Sequence, residues 1–286
     1  MTKAEPDASL RRAVALAEAS GASLHVLGVH APAELRLYHP LPDASPPSAS
    51  FVHFSTRLKA LLDEQPVAWL RPTFEAVETT LAHDIVSACV ARVAPDLIIK
   101  DCPARSVFGQ LAQTSLDHVL LHTSEAPTLF VPANAPVMPA NILVAVDVAT
   151  AGPRQHAFND ALIVAGQHLA AQCKARVHLL SVYSLPMAML ANPDLAEPWV
   201  QEVRESLQGP FDELADARGV AHAHRYFVEG AALRIIKSYI TTLTIDVVVV
   251  GVVQPKRWAR LIGDTTERLI GHAPCSVLAV KPEPGR

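Results

Sequence analysis

Ile245–Gly251 reads IDVVVVG. Four consecutive valines leave no polar face. That pattern fits a strand covered on both sides, as in a parallel sheet. Working outward from it, strand and helix patterns alternate. Asn141–Asp147 (NILVAVD) is a β-branched apolar run that ends in a carboxylate. Phe158–Cys173 carries apolar residues at helical spacing, and Val177–Tyr183 reads as a strand. Trp199–Arg218 is expected as a helix, Ala223–Val228 as a strand and Ala231–Thr242 as a helix. Thr265–Gly271 is expected as a short helix and Ser276–Val280 as a last strand. Strands alternating with helices imply an α/β fold with right-handed crossovers. In such a sheet the ligand site lies beyond the carboxyl ends of the strands, where the strand order reverses.

The same phrases occur earlier in the chain. PDLIIKD (Pro95–Asp101) aligns with IDVVVVG. ALAEASGASLHVLGVH (Ala15–His30) aligns with HLAAQCKARVHLLSVY (His168–Tyr183). DHVLLHTSEAPTLFVP (Asp117–Pro132) aligns with TERLIGHAPCSVLAVK (Thr266–Lys281). Constant order and spacing indicate two homologous units, 1–134 and 140–282. The proline-rich connector Pro132–Pro139 joins them. The first unit has a defect. Its first helix starts near Asp7, and only MTKAEP precedes it. Pro6 lacks an amide, and Lys3 and Glu5 are charged, so this segment is unsuited to a buried central strand. The expectation is a start downstream of the natural one, or a unit whose second and fourth strands close up or recruit another segment.

Composition narrows the function classes. The 286 residues are 50% hydrophobic, which excludes a disordered chain. The formal charge is -4 and no Lys/Arg run stands out, so a dedicated nucleic-acid binder is disfavoured. The apolar runs fall far short of the roughly 20 residues of a membrane span. Cys89, Cys102, Cys173 and Cys275 form no CxxC pair, as expected of reduced cytoplasmic thiols. No GxSxG or HExxH motif and no Cys/His pairing supplies a nucleophile, so no catalytic residue is assigned. His25 and His178 occupy matching places in the two units, which argues for shared packing. Neither has a second ligand at useful spacing, so no metal site is assigned.

Over Ile142–Asp147, Asp246–Gly263 and Glu267–Pro282 (ERLIGHAPCSVLAVKP), the chain resembles the universal stress protein family. It looks most like the E-type members, which carry two such domains in tandem. The resemblance implies a five-stranded parallel sheet per domain, order 3-2-1-4-5, in a Rossmann-like arrangement. One branch of the family binds ATP through a G-x2-G-x9-G-[S/T] loop after strand four, and another lacks that motif. Here the loop runs Gly251-Val-Val-Gln254-Pro-Lys-Arg-Trp-Ala-Arg-Leu-Ile-Gly263-Asp264-Thr265. The outer glycines are kept. Gln254 replaces the middle glycine and lacks its freedom for close phosphate approach. The spacing to Gly263 is one residue short, and Asp264 sets a negative charge where the Ser/Thr belongs. Asp264 with Glu267 also reads as a helix-capping box. Lys256, Arg257 and Arg260 can attract an anion or simply be solvated. In the first unit Asp101 replaces the first glycine, so a structural role is expected there.

The switch-point rule points to the loops after Asp147, Val182 and Gly251, and with the resemblance it gives an expected ligand site at Asp147, Val182, Gly251, Gln254, Gly263, Asp264 and Thr265. The leading expectation is a non-catalytic cytoplasmic stress-response protein whose second unit takes a small anionic ligand. One alternative is a nucleotide-binding module with weak affinity for ATP. The other is an interaction scaffold, its two units paired as an intramolecular pseudo-dimer with fifth strands near the boundary, or the whole chain as a homodimer.

Overall fold

The computed structural model describes residues 8–30, 47–64, 70–79, 81–102, 116–117, 120–121, 124–184, 193–252, 266, 269–270 and 273–282. The elements in chain order are α1 (Ala8–Ser20), β1 (His25–His30), α2 (Ala49–Asp63), β2 (Thr73–Glu78), α3 (Ala82–Val93), β3 (Ile98–Cys102) and β4 (Thr128–Pro132). They continue with β5 (Asn141–Val146), α4 (Pro153–Cys173), β6 (Arg176–Tyr183), α5 (Pro193–Ala217), β7 (Arg225–Glu229), α6 (Ala232–Thr242), β8 (Val247–Gly251) and β9 (Ser276–Val280).

The valine run forms β8, and its four valines are buried. It pairs in parallel with β5 on one side and β9 on the other. β6 and β7 continue the sheet beyond β5, giving the order β7-β6-β5-β8-β9 in the second half of the chain. Counted within that half, this is 3-2-1-4-5. β9 then pairs with β4 in the antiparallel sense, and β4 pairs in parallel with β3. The result is a seven-stranded mixed sheet that runs through both halves of the chain.

Alternation along the central strands feeds two cores. Ile142, Val144 and Val146 point to one face with Val247 and Val249, where Phe158, Leu162 and Ile163 of α4 and Phe211 of α5 cover them. Leu143, Val248 and Val250 point to the other, under Ile236 and Ile240 of α6. Gly166 lets α4 lie close to β5, since a Cβ there would meet Val144 Cγ2 at 2.5 Å. Asp246 ties the amino ends together. Its carboxylate accepts from the amides of Ala140 at 2.7 Å and Asn141 at 3.0 Å.

Several boundaries move from the sequence expectation. α5 begins at Pro193 instead of near Trp199, because Pro is well tolerated in a helix's first turn. A 3-10 turn at His222–His224 delays β7 to Arg225. The strand expected at Ile245 starts at Val247, where pairing with β5 begins.

The first half of the chain departs from the expected repair. β1 and β2 form a separate two-stranded parallel sheet. Among the described residues β1 does not pair with β3, so the second and fourth strands of that half do not close up, and no described strand bridges them. The reason lies in α1, which has two buried faces. Leu10, Val14 and Ala17 pack with Leu61, Leu62 and Leu70 in the small core. Ala8 and Leu16 join the large core beside Leu129 and Val131. Helix packing thus connects the two sheets in place of a backbone ladder. Met1–Pro6 lie outside the described residues.

Candidate functional site

Three of the residues expected at a ligand site meet at the carboxyl edge of the large sheet. Asp147 follows β5 directly, Val182 is the penultimate residue of β6, and Gly251 ends β8. The parallel registers Val146↔Ser181 and Val144↔Val249 set these three strand ends side by side. Gln254, Gly263, Asp264 and Thr265 lie outside the described residues, as do Lys256, Arg257 and Arg260.

Asp147 is exposed, and its carboxylate turns onto its own loop. Oδ1 accepts from the amides of Ala149 at 2.9 Å and Thr150 at 3.1 Å. Oδ2 accepts from the Thr150 hydroxyl at 2.6 Å. This is the local side-chain-to-backbone bonding that Asp favours in turns. Asn159, fully buried on α4, clamps the backbone behind it. Its amide nitrogen donates to Asp147 O at 2.7 Å, and its carbonyl oxygen accepts from Asp147 N at 3.2 Å and Gln155 Nε2 at 3.0 Å. Sequence reasoning missed Asn159. The signal was a polar amide inside the apolar helical run FNDALIV.

Gly251 is required by packing. A Cβ at this position would meet the Phe158 ring at 2.6 Å, and Phe158 is buried. The carbonyl of Gly251 accepts from Thr266 Oγ1 at 2.9 Å. The amide of Val252 donates to Val280 O at 2.8 Å. The chain is therefore held tightly as it leaves β8. Beside Val182, Tyr183 is buried and stacks on Phe227 with ring centroids 4.7 Å apart. Burial, then the nearby Glu229 carboxylate, push the Tyr183 phenol up.

A second cluster lies deeper in the same sheet. His178 on β6 is buried, its ring 4.8 Å from that of His224 and stacked on Tyr226. Burial first, and then His224 and Arg176, push the His178 imidazole down. His25, at the matching place in β1, instead has the polar partners Thr73 Oγ1 and Glu75 Oε1, so the two histidines do not share the packing expected of them.

Together, the parallel strand order and the helices over both faces of the sheet define an α/β protein of the doubly wound class. The profile of the Universal stress protein family matches residues 138–281, and the chain belongs to that family. It is 28% identical over 194 residues to the Universal stress protein E homolog of Haemophilus influenzae, a stretch covering 65% of this chain and 62% of that protein. The matched part thus spans less than two thirds of that relative. A solved structure of a functionally unknown protein from Pseudomonas aeruginosa PAO1 superposes with a TM-score of 0.71 at 21% identity, covering 98% of this chain and 90% of the other. A universal stress protein from Archaeoglobus fulgidus gives a TM-score of 0.59 at 15% identity, over 96% and 93% of the two chains. These likenesses carry the fold. Among the described residues no helix is long and apolar enough to cross a membrane.

Proposed function

We infer that the chain is a non-catalytic stress-response protein built from two units, 1–134 and 140–282, whose second unit offers a cleft for a small anionic ligand and holds ATP poorly. Family membership supports the stress-response role. The observation that carries the ligand reading is the state of Asp147. Both its carboxylate oxygens accept bonds from Ala149 and Thr150, so a ligand would have to compete with the loop. Gly251 is used to seat Phe158, which explains its presence without a phosphate. The altered loop residues Gln254 and Asp264 act in the same direction. Mass spectrometry of small molecules released from freshly purified protein tests this. Stoichiometric ATP in the released fraction would overturn it.

A second reading has its own support. β4 and β9, the last strands of the two units, pair antiparallel through Thr128↔Ala279, Leu129↔Leu278 and Phe130↔Val277. Such a pairing of like edges is what an intramolecular pseudo-dimer would use, and it covers edges otherwise open to another chain.

A further inference from the structure

The small sheet raises a question of stability. A two-stranded sheet is marginal by itself, and among the described residues its core holds six buried side chains. Domains with little core commonly use a disulfide or a metal as a staple.

On the outer face of this sheet three chemically different ligand types converge. His25 opens β1, Glu75 lies on β2, and Cys89 lies on α3, which packs over them. The register pairs His25 with Thr73. Period-two alternation then places Thr73 and Glu75 on the same face as His25. His25 Nε2 lies 3.1 Å from Glu75 Oε1, and the buried Cys89 thiol donates to the same oxygen at 3.1 Å. Arg92, one helical turn beyond Cys89, also donates to Oε1. One ligand atom from each of His25, Glu75 and Cys89 lies within 4.8 Å of the other two.

We propose that His25, Glu75 and Cys89 form a site for a divalent cation of the zinc class that staples β1, β2 and α3 together. Imidazole nitrogen, carboxylate oxygen and thiolate sulfur are the donors zinc takes. Zinc bonds of about 2.0–2.3 Å in a tetrahedron set the ligand atoms roughly 3.3–3.8 Å apart. Two of the contacts already stand near that separation, and the widest must close by about 1 Å. The ring of His25 is already oriented. Its Nδ1 lies 2.8 Å from Thr73 Oγ1. When Nε2 binds a metal, Nδ1–H donates to that hydroxyl, the outer-sphere partner that metal-bound histidines ordinarily have. Several positively polarised groups crowd one carboxylate oxygen where the cation would sit. Arg92 is largely exposed and can turn outward. The thiol proton leaves to solvent when the thiolate binds. Among the described residues the cluster supplies three ligands, leaving the fourth position to water.

The test uses the full chain, stripped with a chelator and titrated with Co2+ and with Zn2+. The expected result is one equivalent bound, with a thiolate-to-cobalt charge-transfer absorption. Cys89→Ser abolishes that absorption and His25→Gln weakens binding at least about tenfold, both with unchanged far-UV circular dichroism, while Cys173→Ser keeps the wild-type spectrum. Arg92→Ala removes a competing cation and tightens binding several-fold, an outcome a plain hydrogen-bond network does not give. The proposal is overturned by the absence of cobalt–thiolate absorption, by its survival in Cys89→Ser, or by Arg92→Ala leaving the affinity unchanged or weaker.

Discussion

Phe158 decides what Gly251 can become. Adding a single methyl group at Gly251 drives a Cβ into an aromatic ring that is itself fixed in the core. Overpacking of this kind costs about 1–3 kcal/mol. Gly251→Ala is therefore expected to lower the unfolding free energy by that amount, with Phe158→Leu in the same chain restoring part of it. Denaturant unfolding of the two variants checks this. At the same scale His178 couples stability to pH. Its folded pKa is depressed from 6.5, chiefly by burial. The folded state then binds fewer protons than the unfolded chain. The contribution is full above pH about 6.5 and is lost as pH falls below it. The melting temperature should drop on acidification from neutral pH, and His178→Phe should flatten that slope. An unchanged slope in the variant would dissociate His178 from the effect. Asp147 was readable in the sequence as the end of a strand at the switch point. The particular partners, Ala149 and Thr150, were not, because they follow from loop conformation and not from composition.

At the scale of elements, α1 carries the packing between the two sheets. It is buried on two sides, and Arg12 is caught between them, fully enclosed. Its guanidinium donates to the Pro136 carbonyl in the connector. Among the described residues its Nε and Nη1 have no hydrogen-bond partner. Burial pushes its pKa down, opposed by Cys173 and Asp246. Replacing a poorly compensated buried charge with an apolar residue of similar volume is commonly neutral or stabilising. Arg12→Met is thus expected to leave the melting temperature unchanged or to raise it. A loss of about 3–5 kcal/mol would instead mark the breaking of a true buried ion pair. Individual strands were legible wherever both faces are covered, as in β8 and β5. The boundaries of α5 and β7 were less so. A proline-tolerant first turn and a 3-10 turn carry little hydrophobic period. The convergence of His25, Glu75 and Cys89 was invisible for a different reason. Residues far apart in sequence meet only through strand register and the packing of α3.

Among the described residues the molecule consists of a seven-stranded sheet with a small second sheet attached through α1. The strand order of the second half followed from the family resemblance, whereas β-α alternation by itself gave only a parallel sheet with right-handed crossovers. Fifth strands near the boundary were part of the pseudo-dimer alternative, but the repeat did not disclose the antiparallel sense in which β4 and β9 pair, since edge pairing is chosen by exposed backbone and not by a local pattern. Nor did it disclose that the first half would divide. That outcome depends on α1 finding two apolar surfaces at once. The central claim concerns the carboxyl edge of the large sheet, where Asp147 bonds its own loop and Gly251 seats a phenylalanine. Calorimetric titration of the full chain with ATP tests it most directly. The predicted result is a dissociation constant above about 100 μM, a binding free energy of roughly −5.5 kcal/mol or weaker. Stoichiometric binding in the low micromolar range would contradict it.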